Sequence, residues 1–216
     1  GTYFQREWFD NRYDVIPKNT NNYMSGDFAV TDGGGDYTEL ATWSVDHDDM
    51  IYARDWWYGQ VTSDVWTDEL IAMAKLNNAL RFIGEAGPIR RSVEPWLEKR
   101  MRETGDYVTC EWLTAPSRES DSINGKAVAA RSFQAMCRQG RVRFPRTPWA
   151  ERVIDQLCMF PGNIGHKDDA VDTCSLFGRF IASTWAAIKP PEKKEIVWDA
   201  PLRMSDFAKP TERKSW

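Results

Sequence analysis

Histidine is nearly absent from this 216-residue chain, with only His47 and His166, and the four cysteines Cys110, Cys137, Cys158 and Cys174 are scattered without a C-x-x-C. Zinc sites of the finger or ribbon kind need such spacing, so they are excluded and reduced core thiols are expected. Long hydrophobic runs are also missing. Residues 180–188 form one of the longest apolar stretches, well short of the ~20 residues of a membrane span, and no signal peptide opens the sequence. The expectation is a soluble, intracellular protein with no membrane partner. The glycine triplet 33–35 is not followed by G-K-[ST], which removes a P-loop, and no other nucleotide-binding signature occurs. No repeat or low-complexity tract appears. Positive charge is not in excess: the net charge of −4 excludes a generic polycation that coats nucleic acid.

What is present is charge segregation. From Asp27 to Glu69 eleven acids face one base, Arg54, while from Arg118 to Arg146 seven bases face two acids. One acidic and one basic lobe suit a polyanion held beside a cation site. Eleven tryptophans serve core, ligand platform or interface alike, so their number decides nothing. The length fits one sizeable domain.

Residues 24–31, M-S-G-D-F-A-V-T, read as a strand carrying Asp27 and ending in the D-G-G-G-D turn. Residues 37–46 and 50–58 continue it as an antiparallel meander. The period then changes: Trp66, Leu70, Met73 and Ala74 share one helical face within 63–78. A short strand, 80–85, ends on Glu85, and Pro88 opens a second helix with Val93, Trp96, Leu97 and Met101 as its buried stripe. Residues 107–113 form a fifth strand. A third helix, with Ala129, Phe133, Met136 and Cys137 on one face, stops at Gly140. Then come an extended basic piece, 141–145, a short helix capped by Thr147 and Pro148, and a last helix from near His166 to Pro190. The order predicts an α/β fold: a mixed sheet, with a three-strand antiparallel meander extended by strands joined through helical crossovers. The expected organisation is an arm at 1–23, a domain at 24–189 and a charged tail at 190–216.

In such a sheet the first strand lies beside the strand that returns after the first crossover, which makes Asp27 and Glu85 neighbours. The last helix then lays Asp168 and Asp169 over the same edge. Carboxylates from three elements repel unless a cation sits among them, and an oxygen-only donor set favours Mg²⁺ or Mn²⁺. Plainer roles fit each residue as well. Glu85 suits an exposed turn, Asp168 and Asp169 suit the positive end of a helix, Asp32 and Asp36 suit turns, and His166 suits a surface position.

Four motifs taken together, S-G-D-F-A-V-T-D-G-G-G-D-Y-T, R-F-I-G-E-A-G, G-R-V-R-F-P-R-T-P-W and F-P-G-N-I-G-H-K-D-D-A-V-D-T, resemble the nuclease domain of tailed-bacteriophage terminase large subunits. The resemblance spans residues 4–188. It implies an RNase H-like fold with helices on both faces of the mixed sheet, and a Mg²⁺- or Mn²⁺-dependent endonuclease that cuts concatemeric double-stranded DNA with a two-ion site during packaging. By the same resemblance Asp27, Glu85 and Asp169 are the catalytic metal ligands, Asp168 an adjacent ligand, and His166 and Asp172 helpers. Implied partners are double-stranded DNA, a terminase ATPase domain, the small subunit and the portal; the implied location is the host bacterial cytoplasm, for a phage or prophage protein. The Walker motif of the ATPase motor is not in this sequence, so the expectation is either an isolated nuclease domain or a degenerate remnant. Lys126 also stands where the family more usually has Arg. Lys126, Arg131, Arg138, Arg141, Arg143 and Arg146 are the candidate DNA contacts, expected to lie towards the acidic edge. Two other readings stay open: another RNase H-like nuclease, such as a junction resolvase or transposase core, and a non-catalytic module docking on DNA or portal.

Overall fold

In the computed structural model, which describes residues 3–29, 37–114, 125–161 and 169–181, the sheet has six strands. They are β1 (Asn21–Asp27), β2 (Thr38–Val45), β3 (Ile51–Gly59), β4 (Arg81–Ala86), β5 (Cys110–Thr114) and β6 (Val142–Arg143). Their order across the sheet is β5-β4-β1-β2-β3-β6. β1, β2 and β3 pair antiparallel, whereas β4 joins β1, β5 joins β4 and β6 joins β3 in parallel. The mixed sheet read from the sequence is therefore present, and β1 lies near its centre because the first crossover returns the chain beside it.

The helices are α1 (Ser63–Leu76), α2 (Pro88–Thr104), α3 (Gly125–Arg138), α4 (Pro148–Met159) and α5 (Asp169–Ile181), with a 3-10 turn at Arg6–Phe9. They divide between the two faces as side chains alternate along β1. Met24, with Leu40 and Phe82, packs under Trp66, Leu70 and Leu97 of α1 and α2. Tyr23, with Trp43 and Ile83, packs under Phe133, Ile154 and Phe177 of α3, α4 and α5. Trp43 stacks on Phe177 with centroids 4.7 Å apart and planes at 9°, and its indole N–H donates to the Ser25 hydroxyl at 2.9 Å. α3 and α5 approach so closely that a Cβ on Gly178 would stand 2.7 Å from the Phe133 backbone nitrogen. Gly140 follows α3 at φ 70°, the left-handed conformation a glycine stop provides.

Three expectations need adjustment. β1 begins at Asn21, inside the segment read as an arm, and that segment is built into the domain: Phe4 and Phe9 are buried in the core. Their rings fill the space beside Phe133, Phe160 and Phe144, which sequence periodicity could not show. Trp96 is not fully inward; it is 39% exposed, with the Lys99 ammonium over its ring. Part of the extended basic piece is a strand, β6. The triglycine turn, His166, Asp168 and the tail lie outside the described residues.

Candidate active site

Asp27 is the last residue of β1 and shares the face of Tyr23 and Ser25, the face covered by α5. Ser25 fixes this geometry, since its hydroxyl donates to the Thr173 carbonyl of α5 at 2.8 Å. β1 and β4 run in register through Ser25 and Ile83, and Asp27 and Glu85 each lie two positions further on, hence on the same face. Asp169 opens α5, and the amide of Tyr37 just before β2 donates to its carboxylate at 3.2 Å. The Gln156 side-chain oxygen of α4 accepts the Ala170 amide at 3.3 Å, satisfying one orphan donor of the α5 N-terminus. One turn along, the Asp172 carboxylate pairs with the Lys126 ammonium of α3 at 2.9 Å. Four carboxylates from β1, β4 and α5 thus share one end of the sheet.

Their mutual effect shows at Asp27. Burial pushes its carboxyl well above the ordinary range, and Asp172, Asp169 and Glu85 push it further, against the opposing pull of Lys126. Burial and like charge act together here, since both disfavour the ionised form. Such an arrangement takes up a proton or a hard cation. Among the described residues no three His, Cys, Asp or Glu side chains already stand in a coordinating cage. The donor set fits such a cation, being oxygen-only, hard and anionic beyond what the single ammonium of Lys126 balances.

Beyond Glu85, the Arg179 guanidinium is half-buried and donates to the Thr114 carbonyl at the end of β5. Its pKa is lowered by burial while the Glu85 charge opposes that shift.

The basic residues do not gather at this edge. β6 pairs with Ile51 and Tyr52, and Ile51 pairs with Val45, which pairs with Asn21. Arg143 therefore lies at the opposite end of the sheet from Asp27, roughly 20 Å away at about 3.3 Å per residue. Arg141 lies beside it, donating to the Asp49 carbonyl at 2.9 Å. Arg146 pairs with Asp14 at 2.6 Å. Arg131 lies near the Tyr3 phenol, whose pKa it lowers against the larger effect of burial, and Arg138 ends α3. Of the six, Lys126 is the one joined to the acid cluster. Parallel pairing of β6 with β3 carries the basic segment to the far end, a long-range fact that charge counting cannot reveal.

Sequence reasoning missed a second constellation. Glu39 faces Asp27 directly across β1 and β2 and is completely buried. Arg152 of α4 grips its carboxylate with two N–H donors, at 2.7 and 2.8 Å, and the Trp56 indole N–H donates to it as well. Arg152 also lies over the Tyr58 ring, 3.7 Å from its centroid. The signal was legible as a lone carboxylate inside T-E-L-A-T-W-S-V, a strand buried along its whole length.

The fold is RNase H-like, a mixed six-strand sheet with helices on both faces. Compared by sequence, the chain matches no family model and no curated protein. Compared by structure, it is similar to the large terminase nuclease of thermophilic phage G20c solved with bound zinc, at TM-score 0.54 and 16% identity over 81% of this chain and 95% of that one. A mutant nuclease domain of the large terminase subunit of bacterial virus Sf6, solved with manganese and beta-thujaplicinol, superposes at TM-score 0.57 and 9% identity over 83% and 97%. The large terminase of bacteriophage HK97 gives TM-score 0.52 and 13% identity over 83% of this chain and 43% of the longer protein. The likeness is one of fold.

Proposed function

We propose that this chain is the metal-dependent DNA endonuclease domain of a phage genome-packaging terminase. The observation that carries the reading is Asp27, Glu85, Asp169 and Asp172 brought to one sheet edge from three elements, with Asp27 too buried and too crowded by like charge to ionise readily alone. Structural likeness to terminase nucleases, two of them solved with zinc or manganese, supports it.

Asp27, Glu85 and Asp169 would hold the ions, Mg²⁺ or Mn²⁺, with Asp168 as an adjacent ligand and His166 as a helper. When bound, two such ions supply an activated water and charge stabilisation for phosphodiester hydrolysis. This chain's own groups then have separate tasks. The Tyr37 amide orients the Asp169 carboxylate, Ser25 ties β1 to α5 so that Asp27 and Asp169 keep their spacing, and Lys126 restrains Asp172. Double-stranded DNA is the substrate of this reading, concatemeric in the packaging setting. An ATPase domain, a small subunit and a portal are the partners, in the cytoplasm of the host bacterium. Among the described residues no helix is long and apolar enough to cross a membrane.

The test is nicking of supercoiled plasmid by the purified chain in Mn²⁺ or Mg²⁺, expected to vanish in EDTA and in Asp27→Asn. A folded chain that leaves plasmid intact in either ion would instead favour a docking module.

A further inference from the structure

We propose that Arg152 is a positioning residue for the acid cluster, its two-pronged hold on Glu39 keeping a fifth carboxylate out of the cation site. The inference rests on the metal reading above. Residues directly opposite on antiparallel strands have Cβ atoms about 4.5–5.5 Å apart, so Glu39 starts as close to Asp27 as a neighbour across the sheet can be. It lies on the same face and in the same row, between Asp27 on β1 and Tyr58 on β3. From that position Asp27 is one of its two nearest neighbours across the sheet.

What turns it away is α4. Both Glu39 oxygens accept from Arg152, one also accepts from Trp56, and the guanidinium is itself seated on Tyr58. The Arg152 Nε is buried with no hydrogen-bond partner among the described residues, so the guanidinium is placed to serve this one carboxylate rather than a wider network. The planar fork matches a carboxylate in a way a lysine would not. The pair is neutral together and charged apart. Removing Arg152 leaves an unpaired buried carboxylate beside the cluster; removing the Glu39 charge leaves an unpaired, partly buried cation there. These two changes push a nearby cation site in opposite directions.

That opposition is the test. The Mn²⁺ concentration giving half of the maximal metal-induced rise in melting temperature is measured for the parent and for Arg152→Met, Glu39→Gln, the double variant and Arg152→Lys, with calorimetric titration as a second readout. It should fall at least threefold in Arg152→Met and rise at least threefold in Glu39→Gln. In the double variant it should return to within about twofold of the parent. Arg152→Lys keeps the charge, so its half-saturation should stay near the parent's even as it melts lower. A buried ion pair that serves stability alone weakens both single variants in the same sense; same-direction shifts, or no shift in either, overturn the proposal. If Arg152→Met does not fold, Glu39→Gln against Arg152→Lys decides it: a rise in the first with none in the second is the expected result. A parent that shows no Mn²⁺ effect overturns the metal reading itself, and this inference with it.

Discussion

Replacing Asp27 by Asn should stabilise the metal-free protein while abolishing its response to metal. Burial first, then Asp172, Asp169 and Glu85, hold the folded-state pKa of Asp27 well above its ordinary value. The folded state therefore keeps a proton that the unfolded chain releases near pH 4. Stability is fully present below that unfolded value and is lost as pH rises through the folded one, at up to about 1.4 kcal/mol per pH unit. Each unit of displacement thus costs about 1.4 kcal/mol at neutral pH, or roughly 3–6 °C of melting temperature for a domain of this size. Asn keeps the volume and removes the titration. In EDTA at pH 7.5 the variant should melt at least ~3 °C above the parent, and the two should converge near pH 4. Saturating Mn²⁺ should reverse the order, since a hundredfold excess over the dissociation constant stabilises the parent by about 2.7 kcal/mol. The assay is differential scanning calorimetry across pH with and without metal. A variant that melts below the parent in EDTA at pH 7.5, or a gap independent of pH, would refute the account of Asp27 as a strained carboxylate.

Gly178→Ala should lower stability by on the order of 1 kcal/mol although alanine favours helices by about that much, because the new Cβ meets the Phe133 backbone and overpacking costs about 1–3 kcal/mol; a raised melting temperature would show that α3 can retreat. Arg141 and Arg143 replaced together by Ala should leave the Mn²⁺-induced shift intact. If DNA also runs along the far end of the sheet, the double variant should bind unrelated duplexes equally weakly and with a shallower salt dependence, by about 0.9 in log–log slope for each phosphate that is no longer neutralised. Parent-like affinity across salt would confine the track to the Lys126 end.

The strand and helix sequence was legible without coordinates because it is written in local periods. A run of strand-forming residues ending in a glycine-rich turn marks the strand that carries Asp27, the Trp66–Leu70–Met73 spacing marks a helix, and Gly140 marks a stop. The order of those elements was enough to put β4 beside β1, and so to bring Glu85 to Asp27. What sequence could not decide were distances between parts of the chain that no period connects. Burial of Phe4 and Phe9 depends on aromatic partners more than a hundred residues away. The far-end position of Arg143 depends on β6 pairing in parallel with the start of β3. Glu39 reads locally as one more acid in an acidic lobe, and only the approach of α4, 113 residues on, gives it Arg152 and removes it from the cluster. Charge and burial are properties of the neighbourhood, and the neighbourhood of a buried carboxylate is assembled by tertiary contacts.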